Sequence, residues 1–174
     1  MKKVLLIAAV LLFQVVGIGF IIARYERVSR CGVELRVPCR LYDPCDPLRG
    51  RYMRLNPELV YKDLDVGSFG RTGWYAKLAA DTNGLCRVEA MARAPGNDGL
   101  WYKVPRVTYE WNRNLKRNVN LSLPDQLFLN EDRAGEVEQE VNKAVRDGRS
   151  VVAVYRFFDG RMVLTGVEID GQRM

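Results

Sequence analysis

The stretch VVAVYRFFDGRMVLTGVEI, residues 151–169, decides the fold class. Val151 to Phe158 and Arg161 to Ile169 are apolar, β-branched and aromatic runs of strand length, and Asp159-Gly160 between them tolerates positive φ at both positions. The two runs therefore predict an antiparallel hairpin. Immediately upstream the period changes. Ala134, Val137, Val141, Ala144 and Val145 recur at spacings of three and four, while Glu136, Glu138, Glu140, Lys143 and Arg146 lie elsewhere around the axis. That pattern predicts one amphipathic helix, with Asp132 placed to cap its start and Gly148 its end.

Further upstream the strand pattern dominates. Val33 to Val37, Tyr52 to Tyr61, Trp74 to Ala80, Leu85 to Met91, Leu100 to Tyr109 and Val119 to Leu129 all read as strands. Asp81-Thr82-Asn83-Gly84 supplies a turn between two of them. Pro105 and Pro124 confine their surroundings to bends, edges or strand ends, because proline has no N–H to give to a ladder. The expected fold is α+β: a mostly antiparallel β-sheet or distorted barrel with one packed helix and a C-terminal β-hairpin, plus an N-terminal transmembrane helix.

That last helix is read from Val4 to Ala23, where Gln14 is the one strongly polar side chain. The run matches the ~20 residues that cross ~30 Å of hydrocarbon. A cleavable signal peptide is the rival, but Ile21-Ile22-Ala23 is a poor cleavage site, Gly17-Ile18-Gly19 a weaker one, and no cysteine follows the run directly. Residues 1–30 are thus expected to form an anchor with a short polar linker from Arg24 to Arg30. Residues 31–174 form the domain, and residues 4–23 contact the bilayer. With 174 residues, 48% apolar and 28% charged, the chain suffices for one such domain.

Charge and cysteine bear on its surroundings. Of the net charge of +6, residues 1–30 carry +4 and residues 31–174 only +2, so the domain is nearly balanced and no nucleic-acid partner is expected. Trp111, Arg113, Lys116 and Arg117 resemble a single-strand binding patch, but Asn112, Asn114 and Asn118 interleave them and mark a solvated turn. Lys2 and Lys3 on one side of the span face Arg24, Arg27 and Arg30 on the other, which leaves orientation open. Cys31, Cys39, Cys45 and Cys86 are even in number, and the first three fall close together, as a small disulfide framework in an oxidising compartment would have them. Three pairings are possible, and reduced, buried thiols are the alternative.

Histidine is absent, which removes histidine-based triads, a histidine general base and His-ligated metal. The cysteines show no C-x-x-C spacing, so neither zinc nor dithiol redox chemistry is expected. A Ser/Lys dyad needs no histidine. Ser68, Ser122 and Ser150, with Lys62, Lys77, Lys103, Lys116 and Lys143, are the residues available to it, and none has a recognisable nucleophile setting. The carboxylate pairs Asp43 with Asp46 and Asp63 with Asp65 are better read as turn formers than as glycosidase acids.

One segment is more specific. Tyr42-Asp43-Pro44, then Asp46-Pro47-Leu48-Arg49-Gly50-Arg51-Tyr52-Met53-Arg54-Leu55, resembles the signature of the GDYXXLXY domain family. The order of Leu127 to Glu131, an acidic helix, Asp159-Gly160-Arg161 and the closing Gly166 to Gly171 is similar to that family's C-terminal layout. Arg51 stands where the motif has Asp, and Pro57 where it has its final Tyr. Asp46, Pro47, Arg49, Gly50, Tyr52 and Leu55 are accordingly read as a structural turn into a strand, with Met53 and Leu55 facing the core; a binding role, with Tyr52 and Arg54 on the opposite face lining a groove, is the alternative.

The resemblance implies a small bacterial protein of unassigned activity: single-pass in the inner membrane, with its C-terminal domain in the periplasm or outside the cell. The expected function is that of a non-enzymatic binding or accessory component of an envelope assembly, with a multi-pass membrane protein as partner and no cofactor. A signal-peptidase-like Ser/Lys hydrolase is the alternative.

Overall fold

The computed structural model describes residues 2–41, 52–64, 72–111 and 117–174. Two helices and twelve strands follow one another along them. The N-terminal half runs α1 (Lys2–Cys31), β1 (Val33–Leu41), β2 (Tyr52–Pro57), β3 (Val60–Leu64), β4 (Trp74–Ala80) and β5 (Cys86–Ala92). The remainder runs β6 (Leu100–Val104), β7 (Val107–Trp111), β8 (Arg117–Leu121), β9 (Gln126–Phe128), α2 (Glu131–Arg146), β10 (Val151–Phe158), β11 (Arg161–Ile169) and β12 (Gln172–Arg173). The fold is α+β, and every ladder between named strands is antiparallel.

The hairpin read from the sequence is the centre of a six-stranded sheet ordered β12-β11-β10-β1-β2-β9. Asp159 and Gly160 have φ of 49° and 71°, the pair of left-handed residues whose twist matches that of the strands they join. Asp170 and Gly171 repeat the device at φ 49° and 82°, turning the chain into β12, a hairpin that the same dipeptide signalled and that was not expected. Register slips by one residue where Val154 faces Gly166 and Tyr155 faces Leu164, leaving Thr165 as a bulge. Its Oγ1 donates to the Val154 carbonyl at 3.2 Å. The bulge bends the sheet, and its far edge curls until β9 approaches β11. No ladder joins those two strands among the described residues, so the sheet does not close into the barrel held as an alternative.

Three of the long expected strands are broken around their prolines, Val119 to Leu129 among them, where the segment holding Pro124 separates β8 from β9. Tyr52 to Tyr61 divides after Pro57, where the Glu58 N–H turns aside to the Pro38 carbonyl at 2.8 Å. Leu100 to Tyr109 divides at Pro105. Of the pieces, β2 and β9 join the six-stranded sheet, while β3, β7 and β8 form the sheet β3-β8-β7 and β6 joins β5-β4-β6, the last built on the Asp81 turn, whose Oδ1 accepts from the N–H groups of Asn83 and Leu85. Inward alternation is plain in β4, where Trp74, Ala76 and Leu78 are buried. α2 covers β1, β2 and β10 with Ala134, Val137, Val141 and Ala144, while Val145 is exposed. The helix starts one residue before Asp132, and Asn130 is its N-cap: the Asn130 carbonyl accepts from Arg133 and Ala134. Gly148 does end it, at φ 68°, with Arg149 donating back to Ala144 and Gly148 to Val145.

The expected linker is helix. α1 runs unbroken to Cys31, and Val28 is buried against β10 and β11. Gly32 makes the junction possible, because a Cβ there would collide with the Val28 carbonyl and press on Arg156 and Phe157 of β10. Arg156 donates to the Gly32 carbonyl at 3.0 Å and Arg27 lies over the Phe158 ring at 5.3 Å. From Leu6 to Ile22 the large apolar side chains are exposed on all sides, up to 79% at Phe13, and the helix is long and apolar enough to cross a membrane.

Candidate functional site

β2 carries the family-like strip. Met53 and Leu55 are buried at 2% and 1%, and Arg54 faces out, as the alternation requires. Of the other motif residues, Asp46, Pro47, Arg49 and Gly50 lie outside the described residues. Tyr52 pairs with Phe128 in the β2–β9 ladder.

The outward face of β2 forms one wall of an open cleft of about 630 Å³ whose other wall is the β3-β8-β7 sheet. Alternation on β7 turns Val107 into the core and Thr108 and Glu110 into the cleft. Arg106 enters from the Pro105 bend and Ser122 from the end of β8. Asp125 is fixed from two sides: its carbonyl accepts from the Leu55 N–H at 2.8 Å and its Oδ2 from Arg54 Nε at 2.7 Å. With Arg54, Arg106, Glu58, Glu110 and Asp125 the lining offers both signs of charge and both donors and acceptors. Such a surface suits hydrogen bonding to a polar polypeptide segment.

Next to the cleft is the edge strand β9. Its Phe128 is 76% exposed, the most exposed large apolar side chain outside α1 among the described residues. Neither tryptophan with a described side chain supplies this: Trp74 is buried under Arg93, whose guanidinium lies 4.0 Å from the ring, and Trp101 donates to the Asp98 carbonyl.

Among the described residues, no hydrogen bond joins Ser122 or Ser150 to a lysine. Ser68 and Lys116 lie outside the described residues. Ser122 lies in the cleft, where no described lining residue is a lysine. Ser150 donates its N–H to Asp170. Lys77 is held by Asp98 at 2.6 Å, and that hydrogen bond moves its pKa upward, the wrong direction for a base. Asp43, Asp46 and Asp65 are outside the described residues, and among those described no three of Cys, Asp and Glu converge as a metal would require. The basic and aromatic segment joins β7 to β8, where Trp111 pairs with Arg117; residues 112–116 are outside the described residues.

Cys31, Cys39 and Cys86 are free thiols, Cys31 exposed and the other two in the core, while Cys45 is outside the described residues. The expected disulfide framework is thus not seen among them. Burial pushes Cys39 and Cys86 up to about 12, which suits them as small apolar core residues rather than nucleophiles.

A second charged group was missed from the sequence. Glu34 accepts ion pairs from Arg36, Arg156 and Arg173 at 3.3, 3.0 and 3.5 Å, and Arg36 also reaches the buried Glu168 at 3.2 Å. Four strands contribute, so only the register assembles it.

The fold and the cleft define an α+β protein with one apolar N-terminal helix and a polar cleft beside an exposed sheet edge. The chain belongs to the GDYXXLXY protein family, whose model matches residues 14–167. No curated protein and no solved structure matches it.

Proposed function

We propose that this chain is a membrane-anchored, non-enzymatic accessory domain that holds a multi-pass membrane protein of the bacterial envelope through the cleft and the β9 edge. The observation that carries this reading is α1: a helix apolar on every side that passes without a linker into the domain and packs Val28 on its hairpin. A domain fixed rigidly at the bilayer surface suits the support of a neighbour in the same membrane better than the capture of a diffusing substrate. Arg54, Asp125 and Phe128 then form a contiguous polar and aromatic contact surface.

Residues 31–174 form the domain, on the extracytoplasmic side. Lys2 and Lys3 precede the span, whereas on the domain side Arg30 is neutralised by Glu26 at 2.6 Å and Arg27 is stacked on Phe158. Arg24 and Arg27 keep their charge on that side, so the extracytoplasmic placement rests on the four cysteines and the family resemblance and not on the Lys/Arg count. Disulfides involving Cys45 belong to the same proposal. That no lysine is among the described residues lining the Ser122 cleft supports an accessory role over a Ser/Lys hydrolase.

The test is crosslinking in native membranes followed by co-purification of the full chain. A stoichiometric multi-pass protein is expected with wild type and with Ser68→Ala, Ser122→Ala and Ser150→Ala, and lost from Arg54→Glu/Phe128→Ser. No partner under mild crosslinking, or loss of cellular function in a single serine variant, overturns the reading.

A further inference from the structure

Where α1 leaves the apolar run, the fold builds a second groove, of about 540 Å³, between the last turns of α1, strand β6 and the tip of the β10–β11 hairpin. This volume lies within the ~300–1,000 Å³ of small-ligand sites. Its position along the membrane normal is set by α1 itself. Arg24, which lines the groove, is the residue directly after Val4 to Ala23. The hairpin folds back along the helix: Phe157 pairs with Val33, Phe158 meets Arg27, and Asp159, Gly160 and Arg161 reach the level of Arg24 and Tyr25. If α1 spans the bilayer, this groove lies in the headgroup layer.

Its chemistry is that of a lipid phosphate site. Three cations line it, Arg24 from α1, Lys103 from β6 and Arg161 from β11, against one carboxylate, Asp159. None of the three has a carboxylate within ion-pair reach among the described residues; Arg24 rests 5.9 Å from the Phe20 ring. Several charges elsewhere are paired, as at Glu34, Asp98 and Asp125, whereas here three cations from three separate elements converge on one groove. An unpaired cluster at one level, over an apolar floor that includes Val28 and Met162, is complementary to a phosphate joined to glycerol and acyl chains. Tyr25 adds an amphipathic ring at the depth where such rings are favoured.

We propose that the groove formed by Arg24, Lys103 and Arg161 binds the phosphate of an anionic phospholipid. The lipid would lock the hairpin tip to the end of the span and set the tilt of the domain on the membrane. This rests on the reading of α1 as a transmembrane anchor, and the test separates the two.

The full chain is reconstituted into nanodiscs of pure phosphatidylcholine and of an equimolar mixture with phosphatidylglycerol, and lipids retained on the released protein are counted by native mass spectrometry. Wild type is expected to incorporate into both and to retain phosphatidylglycerol selectively from the mixture. In Lys103→Gln/Arg161→Gln the selectivity is expected to fall by about thirtyfold, which corresponds to about 1 kcal/mol for each cation lost. Arg133→Gln/Arg146→Gln, which removes the same charge from exposed positions on α2, is expected to keep it. Incorporation without selectivity, or an equal fall in both double variants, overturns the groove alone. Failure to incorporate into either bilayer overturns the anchor and the lipid site together. Adducts of inorganic phosphate on the detergent-solubilised chain, with no preference in nanodiscs, would assign the groove to a soluble phosphate and overturn the lipid.

Discussion

Cys39 and Cys86 show how little a residue's identity says until its surroundings are known. The same thiol that suggests a disulfide in sequence is, in the core, a small apolar group whose ionisation burial opposes. Labelling of the native reduced protein by iodoacetamide at about pH 8 is expected to modify Cys31 quickly and Cys39 and Cys86 only after unfolding, read by peptide mass spectrometry. The folded pKa of each buried thiol, about 12, lies above its ordinary value of 9.0. Their contribution to stability is therefore complete below 9.0 and declines as pH rises toward about 12, by up to about 1.4 kcal/mol per pH unit per thiol. Urea midpoints measured across that window are expected to fall less steeply in Cys86→Ala than in wild type. Glu34 is a second case, since one carboxylate serves three arginines. Glu34→Gln is expected to cost about 1–3 kcal/mol by chemical denaturation, because it leaves Arg156 and Arg173 as adjacent like charges without their carboxylate, while Arg36 alone keeps the buried Glu168.

Among the elements, α1 and the β10–β11 hairpin behave as one unit. Gly32 gives no room for a side chain, so Gly32→Ala must move the helix end away from Arg156 and Phe157. Thermal unfolding is expected to show a loss of about 1–3 kcal/mol, the usual cost of overpacking, together with exposure of Val28. The hairpin itself was legible to the residue, because Asp159-Gly160 and the flanking β-branched runs specify it locally. So was β4, and so was the apolar stripe of α2 except for Val145, which is exposed. The start of α2 was missed because asparagine and aspartate are equally good caps, and Asn130 and Asp132 lie two residues apart. The helical state of residues 24–31 was missed for a different reason: a polar segment extends a helix when its one aliphatic residue, Val28, finds a partner that lies more than a hundred residues away in sequence.

Across the whole molecule, the curl of the six-stranded sheet decides where the cleft lies. Tyr155, fully buried, donates to the Pro124 carbonyl at 2.8 Å and ties the sheet's centre to the connection between β8 and β9. Tyr155→Phe would strand that carbonyl, and a loss of about 1–3 kcal/mol in a urea titration is expected, with the cleft-side Asp125 released as well. Leu55→Ala, at the foot of the cleft, is expected to cost about 2–5 kcal/mol by the same measurement. By itself the sequence determined the α+β class, the apolar span, the terminal hairpin, the acidic helix, the absence of histidine chemistry and the inward positions of Met53 and Leu55. The class and the absence of histidine are read from the whole chain; each of the others depends on period, composition or turn chemistry within some twenty residues. Only the tertiary structure decided that Arg54 meets Asp125, that three arginines gather on Glu34, and that Arg24, Lys103 and Arg161 line one groove. Those groupings join residues from 71 to 139 positions apart where a pair is fixed by hydrogen bonds, and strand register and sheet curvature, which no local signal encodes, bring them together.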